Sequence, residues 1–478
     1  MYKAVIGLEV HCELDTKSKN FSASPNEFTE TPNINVSTVD LGLPGILPVP
    51  NKEAVKKALK TAMALHCTNP DEVIFDRKNY FYPDLPKGYQ ITQVTKPMGR
   101  NGYLDILVNG NKKRVLIHQL HLEEDTASLE HFSNYSLIDY NRSGIPLIEI
   151  VTEPCMESAD EAVTFLEDLR DVFLFLGVSE AKSNYGQMRC DVNISLMKDT
   201  DTELGTKVEM KNINAFTSVR DAIEYEIKRQ TELLEKGEKV VQETRRIAED
   251  GKTYAMREKV DAVDYKYFVE PNIPPVPLTE EFYEELRYEI PELKLERYEK
   301  YMNEYGLSEY DAGVLSSKKD ISDYFEEVLS YGSDISLTVN FVTSAILSTI
   351  KKLEVSINEL FITPKMLSGV IDKVKNKDIS LDHGKKILYQ AIEKEMDPNE
   401  LINKQNLHQI NDKEELLTLI CEVMDENEEQ VRQYIEEGNT YVYNFFIGKV
   451  MQKSNRQANP NMSLEIIKEE LERRKNNG

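Results

Sequence analysis

The residues best suited to chemistry lie at 7–14, which read Gly-Leu-Glu-Val-His-Cys-Glu-Leu. Side chains of a strand alternate between two faces, so Glu9, His11 and Glu13 share one face at spacings of about 7 Å. The other face carries Leu8, Val10, Cys12 and Leu14. Two carboxylates and an imidazole on one surface could bind a divalent metal ion. The same alternation is typical of the solvated face of an antiparallel sheet, so this stretch alone leaves both interpretations open.

Similar polar faces recur in three further stretches. In 189–196 the alternation puts Arg189 and Asp191 with Asn193 and Ser195, opposite an apolar face. The stretch 207–211 groups Lys207, Glu209 and Lys211, and 121–125 reads His-Leu-Glu-Glu-Asp. Exposed strand faces usually favour Thr, Lys and Ser without grouped acids. Each stretch alone fits an ordinary strand, but together they predict a sheet whose polar face holds Mg²⁺ and a phosphate-bearing ligand.

The elements that must position these residues occupy the first 290 residues, where strand-like alternation mixes with loops. Residues 79–89 contain two prolines and a glycine, which predicts a loop. Ser158 and Glu161 have capping-box spacing, apolar residues follow at helical spacing, and Gly177 is a suitable C-cap. A second helix is predicted over about 219–234. The pattern indicates an α+β domain.

The strongest break is at 271–277, Pro-Asn-Ile-Pro-Pro-Val-Pro, which suits neither a helix nor a central strand. Long helical patterns follow it, one of them capped by Ser308 with Asp311. A softer boundary lies near Pro398. We therefore predict a catalytic domain over 1–290, an all-α helical domain over 291–398 and a small helical tail over 399–478.

Composition is that of a globular protein without a membrane span. The chain has 478 residues, 40% apolar and 29% charged, with a net charge of −25. No apolar run reaches 18 residues, and the N-terminus resembles neither a signal nor a transit peptide. The five cysteines are scattered, without a CxxC pair, so neither a zinc knuckle nor a disulfide framework is predicted. We expect a cytoplasmic protein.

The negative charge argues against broad nonspecific binding of nucleic acid, which needs a basic footprint. Two local basic stretches remain candidates for contact with nucleic acid. One spans 365–386 and contains six lysines, and the other is Arg473-Arg474-Lys475. Both could equally be solvated helix surface.

The sequence contains no phosphate-binding loop, no GxGxxG after a strand, no HExxH, no GxSxG and no kinase signature. It also lacks the Gly- and Ser-rich segment of amidases. If the protein uses ATP, metal and cationic side chains on a sheet must hold the phosphates. Ligases of the glutamine synthetase type work in that way.

Nine stretches of the sequence, spread over essentially the whole chain, closely resemble the B subunits of bacterial aspartyl/glutamyl-tRNA amidotransferases. The resemblance is carried by residues 7–11, 40–45, 79–90, 121–125, 139–151, 189–195, 205–212, 305–312 and 445–451. It implies a ligase within a heterotrimer whose other two members are an amidase and a small clamp-like subunit. The implied fold is a glutamine-synthetase-like cradle with an antiparallel sheet, then a helical domain and a tail that contact tRNA.

The implied activity depends on ATP and Mg²⁺. The B subunits of the family phosphorylate the side-chain carboxylate of Glu on tRNA(Gln) or Asp on tRNA(Asn), and ammonia from the amidase displaces the phosphate. The resemblance maps metal ligands onto His11 and Glu124, with Glu9, Asp191 and Glu209 lining the same catalytic pocket. We add Lys207, Lys211 and Arg189 as predicted partners of phosphate or carboxylate groups.

The sequence departs from the family pattern beside this pocket, at Gln119 and at 126–128, where Thr-Ala-Ser stands. Two alternatives remain at this point. One is a noncatalytic tRNA-binding scaffold, which would not need converging carboxylates. The other is a free-standing Mg-ATP carboxylate–amine ligase that acts on a small metabolite. The choice between Glu-tRNA(Gln) and Asp-tRNA(Asn) as substrate depends on the synthetases of the host.

Overall fold

The computed structural model describes residues 2–198, 200–201, 203–213, 215–248, 250–258, 264–405, 410 and 412–477. The chain divides into two compact units, Met1–Glu296 and Arg297–Gly478. The first unit extends past the predicted domain end at residue 290 because Lys294 is bound by Asp168 and Asp171, at 3.2 and 2.6 Å. The division of the remainder at 398–399 stays a prediction.

Strands are concentrated in the first unit. In chain order the strands of the described residues are β1 Tyr2–Glu13, β2 Glu72–Val73, β3 Asp76–Asn79, β4 Tyr89–Thr92, β5 Gly99–Val108, β6 Asn111–Glu124, β7 Ser128–His131, β8 Ser136–Asp139, β9 Pro146–Thr152, β10 Met188–Lys198, β11 Val208–Ile213, β12 Glu243–Ile247, β13 Thr253–Glu258, β14 Phe268–Val269 and β15 Val276–Pro277.

The helices dominate the second unit. In chain order they are α1 Lys52–Ala64, α2 Ala159–Leu176, α3 Phe216–Glu235, α4 Glu280–Glu289, α5 Lys294–Asn303, α6 Glu309–Ser316, α7 Lys319–Ser330, α8 Ile335–Asn340, α9 Leu347–Leu353, α10 Pro364–Lys375, α11 Leu381–Lys394, α12 Pro398–Gln405, α13 Lys413–Asp425, α14 Glu428–Glu437, α15 Val442–Lys453 and α16 Pro460–Asn477. A π-helical turn, Phe341–Ile346, joins α8 to α9. The predicted α+β class is confirmed.

One large sheet forms the centre of the first unit, with the strand order β13-β12-β11-β10-β1-β9-β6-β5. All neighbouring strands are antiparallel except β11 and β12. All four stretches with polar faces lie in this sheet, in β1, β6, β10 and β11, although Lys207 stands just before β11. The strand β9 lies between β1 and β6 and joins them into one surface.

The apolar face of the sheet is the core of the unit, covered by α1, α2 and α3. Leu8, Val10 and Cys12 of β1 are fully buried in it. The helix α2 begins and ends where its sequence predicts, because Ser158 Oγ accepts a hydrogen bond from Glu161 N at 3.2 Å and Gly177 adopts a left-handed φ of 62°. The opposite face of the sheet is left for polar side chains.

The second unit contains two separate buried hydrophobic clusters, one from Tyr301 to Ile402 and one from Leu416 to Leu471. Its helix α6 is capped as predicted, since Ser308 Oγ accepts from Asp311 N at 3.1 Å. Across the described part of the chain, none of the helices is both long and apolar enough to cross a membrane.

Candidate functional site

The polar face of the large sheet gathers carboxylates and imidazoles from three adjacent strands. Residue pairing places His11 of β1 opposite Glu149 of β9, and Glu149 opposite His121 of β6. Together with Glu9 and Glu123, which lie two residues from the histidines on the same face, these form a group that we call the Glu–His cluster. Antiparallel pairing thus brings together residues separated by more than a hundred positions in the chain.

His11 lies among three carboxylates of the cluster. Its Nε2 atom is 3.2 Å from Glu149 Oε2 and 3.9 Å from both Glu9 Oε1 and Glu123 Oε1. The side chain of His11 is only 15% exposed. The shortest contact is a charge-assisted one, which holds the imidazole against β9.

His121 of β6 contacts two of these three carboxylates, those of Glu123 and Glu149. Its Nε2 atom is 3.5 Å from Glu123 Oε2 and 3.6 Å from Glu149 Oε2. Glu123 Oε2 also accepts a hydrogen bond from Thr92 Oγ1 of β4, at 3.3 Å. Both histidine contacts and the Thr92 contact fix the orientation of these carboxylates.

Burial and neighbouring charges shift the pKa values of the cluster. Burial, and then the charge of Glu149, raises the pKa of Glu9 to about 7. Burial alone would lower the pKa of His11, but its contacts with Glu149 and Glu123 raise it to about 9. The pKa of His121 is raised in the same way, against its burial. Glu149 itself is buried, yet the two histidines hold its pKa well below its usual range.

A second group of charges lies on β10 and β11, on the other side of β1. Asp191 stands opposite Glu9 in the sheet. Lys211 Nζ lies 3.2 Å from Asp191 Oδ2 and 3.3 Å from Glu209 Oε1, and Thr244 Oγ1 donates to Glu209 Oε2 at 3.0 Å. Despite its burial, the pKa of Lys211 is raised by these carboxylates. The structure thus brings Asp191, Glu209 and Lys211 to the face that carries Glu9, as the sequence predicts.

Arg189 stands opposite His11 but binds a carboxylate at the end of β6. Its Nη1 and Nη2 atoms donate to the two oxygens of Asp125, at 3.2 and 2.9 Å. Burial disfavours the charge of Arg189, but Asp125 raises its pKa, and the arginine in turn lowers the pKa of Asp125. The predicted cofactor-binding Arg189 is therefore also part of a bidentate ion pair in which Asp125 is buried and the arginine partly buried.

Lys207 lies apart from these groups, exposed just before β11. A different lysine reaches the cluster instead. Lys78 of β3 is partly buried, with Nζ 5.1 Å from the centre of the Tyr265 ring. Burial would lower the pKa of Lys78, but the charges of Glu123 and Glu149 raise it. The sequence analysis did not single out Lys78.

The structure does not bring Glu124 into the Glu–His cluster. Adjacent residues of a strand point to opposite faces. Glu124 therefore lies on the same face as the fully buried Leu122, and Glu123 lies on the other face. Its carboxylate forms an ion pair with Lys87 and accepts a hydrogen bond from Ile91 N at 2.9 Å. In this structure Glu9, Glu123 and Glu149 are the carboxylates beside His11, and the assignment of Glu124 as a metal ligand stays a prediction.

The sequence analysis singled out the stretch that contains His121 and Glu123 without assigning either residue to the site, and it missed Glu149. The alternation in β6 could have assigned the first two, because Leu120 and Leu122 define the apolar face and leave His121 and Glu123 on the other. Glu149 stands alone within Leu-Ile-Glu-Ile-Val, and an isolated carboxylate in an apolar strand is itself a signal of a function or a buried partner.

The donor set fits a divalent cation. Glu9, His11 and Glu149 each offer a ligand atom, and these atoms lie within 4.8 Å of one another. Cis ligands of a six-coordinate Mg²⁺ or Mn²⁺ lie about 3 Å apart, close to the 3.2 Å between His11 Nε2 and Glu149 Oε2. The carboxylates suit Mg²⁺ and Mn²⁺, whereas imidazole ligands are more typical of transition metals such as zinc and iron.

Comparison with known proteins matches the chain to two family models. The GatB/GatE catalytic domain matches residues 4–284, which is more than half of the chain and includes every residue of the Glu–His cluster. The GatB domain matches residues 323–471 of the second unit.

Individual proteins are similar over the full length. A protein of Oceanobacillus iheyensis is 45% identical over 475 residues, covering 99% of this chain and 100% of its own. Proteins of Staphylococcus saprophyticus and Macrococcus caseolyticus are each 44% identical over 474 residues, with the same coverage. All three are named as the B subunits of aspartyl/glutamyl-tRNA(Asn/Gln) amidotransferases.

Proposed function

The chain belongs to the GatB family of amidotransferase B subunits, and from that membership we propose that its Glu–His cluster supports phosphorylation of a carboxylate on misacylated tRNA. The substrate is the side chain of Glu on tRNA(Gln), of Asp on tRNA(Asn), or of both. The enzyme class is a carbon–nitrogen ligase. The observation that supports this most is the convergence of Glu9, His11 and Glu149 on one sheet face.

The chemistry follows from the poor reactivity of a carboxylate toward ammonia. A side-chain oxygen attacks the γ-phosphorus of ATP, ADP leaves, and an acyl phosphate forms on the amino acid. Ammonia then attacks the carbonyl carbon, and phosphate leaves with the former carboxylate oxygen. A divalent ion, when bound, neutralises phosphate oxygens and aligns the reacting groups.

The chain's own residues have separable roles in this proposal. Glu9, His11 and Glu149 would hold the ion. Lys211, which is anchored by Asp191 and Glu209 yet 37% exposed in its side chain, would bind a phosphate or carboxylate oxygen. These ion pairs keep the ammonium group in one position before substrate arrives, which lowers the entropy cost of orientation.

Ammonia is proposed to come from a partner amidase, in a heterotrimer that also holds a small third subunit. Burial of the cysteines supports this assignment. Cys12, Cys67 and Cys190 are buried and Cys155 and Cys421 partly buried, and burial raises the pKa of all five thiols, to about 12 for Cys12 and Cys67. A thiol of that pKa carries almost no thiolate at neutral pH and is a poor nucleophile for glutamine.

The experiment that tests the proposal compares His11→Ala with the control His118→Ala. His118 lies in β6 outside the Glu–His cluster, at a shift in strand register, and is paired with Glu153 at 2.8 Å and 58% exposed. With partner subunits and misacylated tRNA present, His11→Ala should reduce Mg²⁺-dependent ATP cleavage by at least about 100-fold, since a lost metal ligand removes several kcal/mol of stabilisation. The His118→Ala protein should retain wild-type activity. Wild-type ATP cleavage in His11→Ala would instead favour the noncatalytic scaffold.

A further inference from the structure

The carboxylate of Glu209 in β11 is oriented by a neutral side chain from the next strand. Residue pairing places Thr244 of β12 opposite Glu209. Thr244 is 3% exposed, and its Oγ1 atom donates a hydrogen bond to Glu209 Oε2 at 3.0 Å. The other oxygen of the same carboxylate, Oε1, lies 3.3 Å from Lys211 Nζ. The hydroxyl of Thr244 therefore holds Glu209 in the orientation that turns Oε1 toward the lysine.

Lys211 is held between two carboxylates. Its Nζ atom donates to Asp191 Oδ2 at 3.2 Å and lies 3.3 Å from Glu209 Oε1. An ammonium group has three N–H donors in a tetrahedral arrangement, so two such anchors also fix the direction of the third. The side chain of Lys211 is 37% exposed, which lets that third N–H reach an oxygen of the substrate. Its direction depends on both carboxylates keeping their positions.

The strand that carries Thr244 is itself anchored to the rest of the unit. Its parallel pairing with β11 is short. The next residue, Arg245, reaches the helix α3, where its Nε atom lies 3.1 Å from the fully buried Glu226. The same Nε donates to Thr253 Oγ1 of β13, at 2.8 Å. These contacts fix β12 from the side of the helices, so that Thr244 can hold Glu209 from a rigid support.

We propose that Thr244 is a positioning residue for the phosphorylation step. Through its hydrogen bond to Glu209, it sets the direction in which Lys211 presents an N–H to a phosphate or carboxylate oxygen of the substrate. Thr244 acts through these two side chains and does not contact the reacting atoms. The inference rests on the proposed function, to which it adds an uncharged residue behind the charged groups of the sheet face.

The test compares Thr244→Val, which nearly keeps the shape of the side chain and removes the hydroxyl, with Thr244→Ser, which keeps the hydroxyl. Each variant is assayed in the complex with its partner subunits, with misacylated tRNA, ATP and Mg²⁺. Thr244→Val should lower kcat for ATP cleavage by about 10-fold, the lower end of what partners of metal-binding side chains contribute. The KM for ATP should change by less than about threefold, because a misdirected N–H weakens the transition state more than the bound ground state. Thr244→Ser should restore most of the lost activity.

Two further measurements separate positioning from a general effect on folding. The matched control is Thr61→Val, because Thr61 is fully buried in the same unit but donates its hydroxyl to Lys57 O within α1, at 2.9 Å. This variant should have the kcat of the wild type. A double-mutant cycle then combines Thr244→Val with Glu209→Ala. If Thr244 acts through Glu209, the double variant should be no slower than Glu209→Ala alone.

The outcomes separate this inference from the proposed function. A wild-type kcat in Thr244→Val, or additive losses in the cycle, would overturn the inference and leave the proposed function standing. Equal losses in Thr244→Val and Thr244→Ser would do the same, because packing and not the hydroxyl would then matter. A wild-type complex that cleaves no ATP in response to misacylated tRNA would overturn both. If Thr244→Val fails to fold, as judged by thermal unfolding, the same cycle with Thr244→Ala decides the question.

Discussion

Glu149 is the residue on which both histidines of the Glu–His cluster converge, and its carboxylate is held ionised by them. Its role contrasts with that of Glu124, which is bound to Lys87 and Ile91 N away from the cluster. The two glutamates therefore make opposite predictions for ion binding, although the resemblance to the family assigns Glu124 as a ligand.

We expect Glu149→Gln to weaken binding of Mn²⁺ by at least about 100-fold, since even a residue beyond the ligands typically contributes 10–100-fold. Glu124→Gln should change the Mn²⁺ affinity less than about threefold. Isothermal titration calorimetry with Mn²⁺ measures the affinity of each variant. An unchanged affinity in Glu149→Gln, or a large loss in Glu124→Gln, would favour the ligand set implied by the family resemblance.

At the level of single residues, strand alternation predicted Glu9, His11, Asp191, Glu209 and Lys211 on one face, and the structure brings them there. It failed for β9, whose two faces are both largely buried. A strand buried on both faces has no polar alternation to reveal its orientation. The contribution of Glu149 follows only from pairing between β1 and β9, which no local pattern encodes.

The ends of helices that carry capping residues could be predicted from the sequence. The order of the strands in the sheet could not. The helix α2 shows its cap and its terminating glycine in the sequence. The order of strands, with β9 between β1 and β6, depends instead on non-local pairing, which for β1 and β9 joins residues more than a hundred positions apart. The approach of β3 to the polar face, which brings Lys78 to the cluster, likewise has no sequence signal of its own.

The helix α3 is joined to the sheet edge by a buried carboxylate. Glu226 is fully buried and accepts hydrogen bonds from Arg229 Nε and Nη2 at 2.9 and 2.8 Å, and from Gln230 at 3.0 Å. It also lies 3.1 Å from Arg245 Nε of β12. Burial would raise the pKa of Glu226, but these partners lower it. Its charge therefore stabilises the packing of α3 on β12 and β13.

We expect Glu226→Gln to lower the free energy of unfolding at pH 7 by about 3 kcal/mol, because it removes the buried carboxylate that pairs with the partly buried Arg229 and also contacts Arg245. The folded pKa lies below the unfolded value of about 4.3, so the stabilisation is present above that pH and is lost as pH falls through the folded pKa. Urea unfolding at pH 7 and near pH 3 should show the difference from wild type shrinking on acidification. A difference independent of pH would contradict this role for the charge.

At the scale of the whole molecule, the proposed function requires that tRNA be contacted through local basic surface of an acidic chain. The lysines of α10 and α11 suit this better than the C-terminal arginines. Lys375 and Lys386 are exposed. Arg473 and Arg474 instead bind Glu470, at 2.7 and 2.9 Å, and Arg474 also binds Asp425, at 2.7 Å.

We expect the double substitution Lys375→Ala with Lys386→Ala to weaken tRNA binding by the complex and to reduce the slope of log affinity against log salt by roughly 0.7–0.9 per lost phosphate contact. The matched control is Lys453→Ala, because Lys453 is already paired with Glu422 and Glu426 at 2.9 and 2.7 Å. Filter binding at several salt concentrations measures the tRNA affinity and its salt dependence for each variant. If the double variant and the wild type have equal slopes of log affinity against log salt, these lysines of α10 and α11 are ordinary solvated surface and do not contact tRNA.

The proposed division of labour between this chain and a partner amidase gives a further prediction. The purified chain alone should not hydrolyse glutamine, because burial raises the pKa of all five cysteine thiols and leaves each a poor nucleophile. The assembled complex should still amidate the aminoacyl-tRNA when ammonium chloride replaces glutamine. Release of glutamate from glutamine by the chain alone would instead indicate a self-contained ligase.

The central claim is that the side-chain carboxylate is activated by phosphorylation, and the fate of its oxygen tests this most directly. Misacylated tRNA carrying ¹⁸O in the Glu or Asp side chain is incubated with the complex, ATP, Mg²⁺ and ammonia, and the released phosphate is examined by mass spectrometry. The account predicts one ¹⁸O transferred to phosphate for each amide formed, and loss of both products in His11→Ala. Amide formed at the wild-type rate with no ¹⁸O in the phosphate would contradict it.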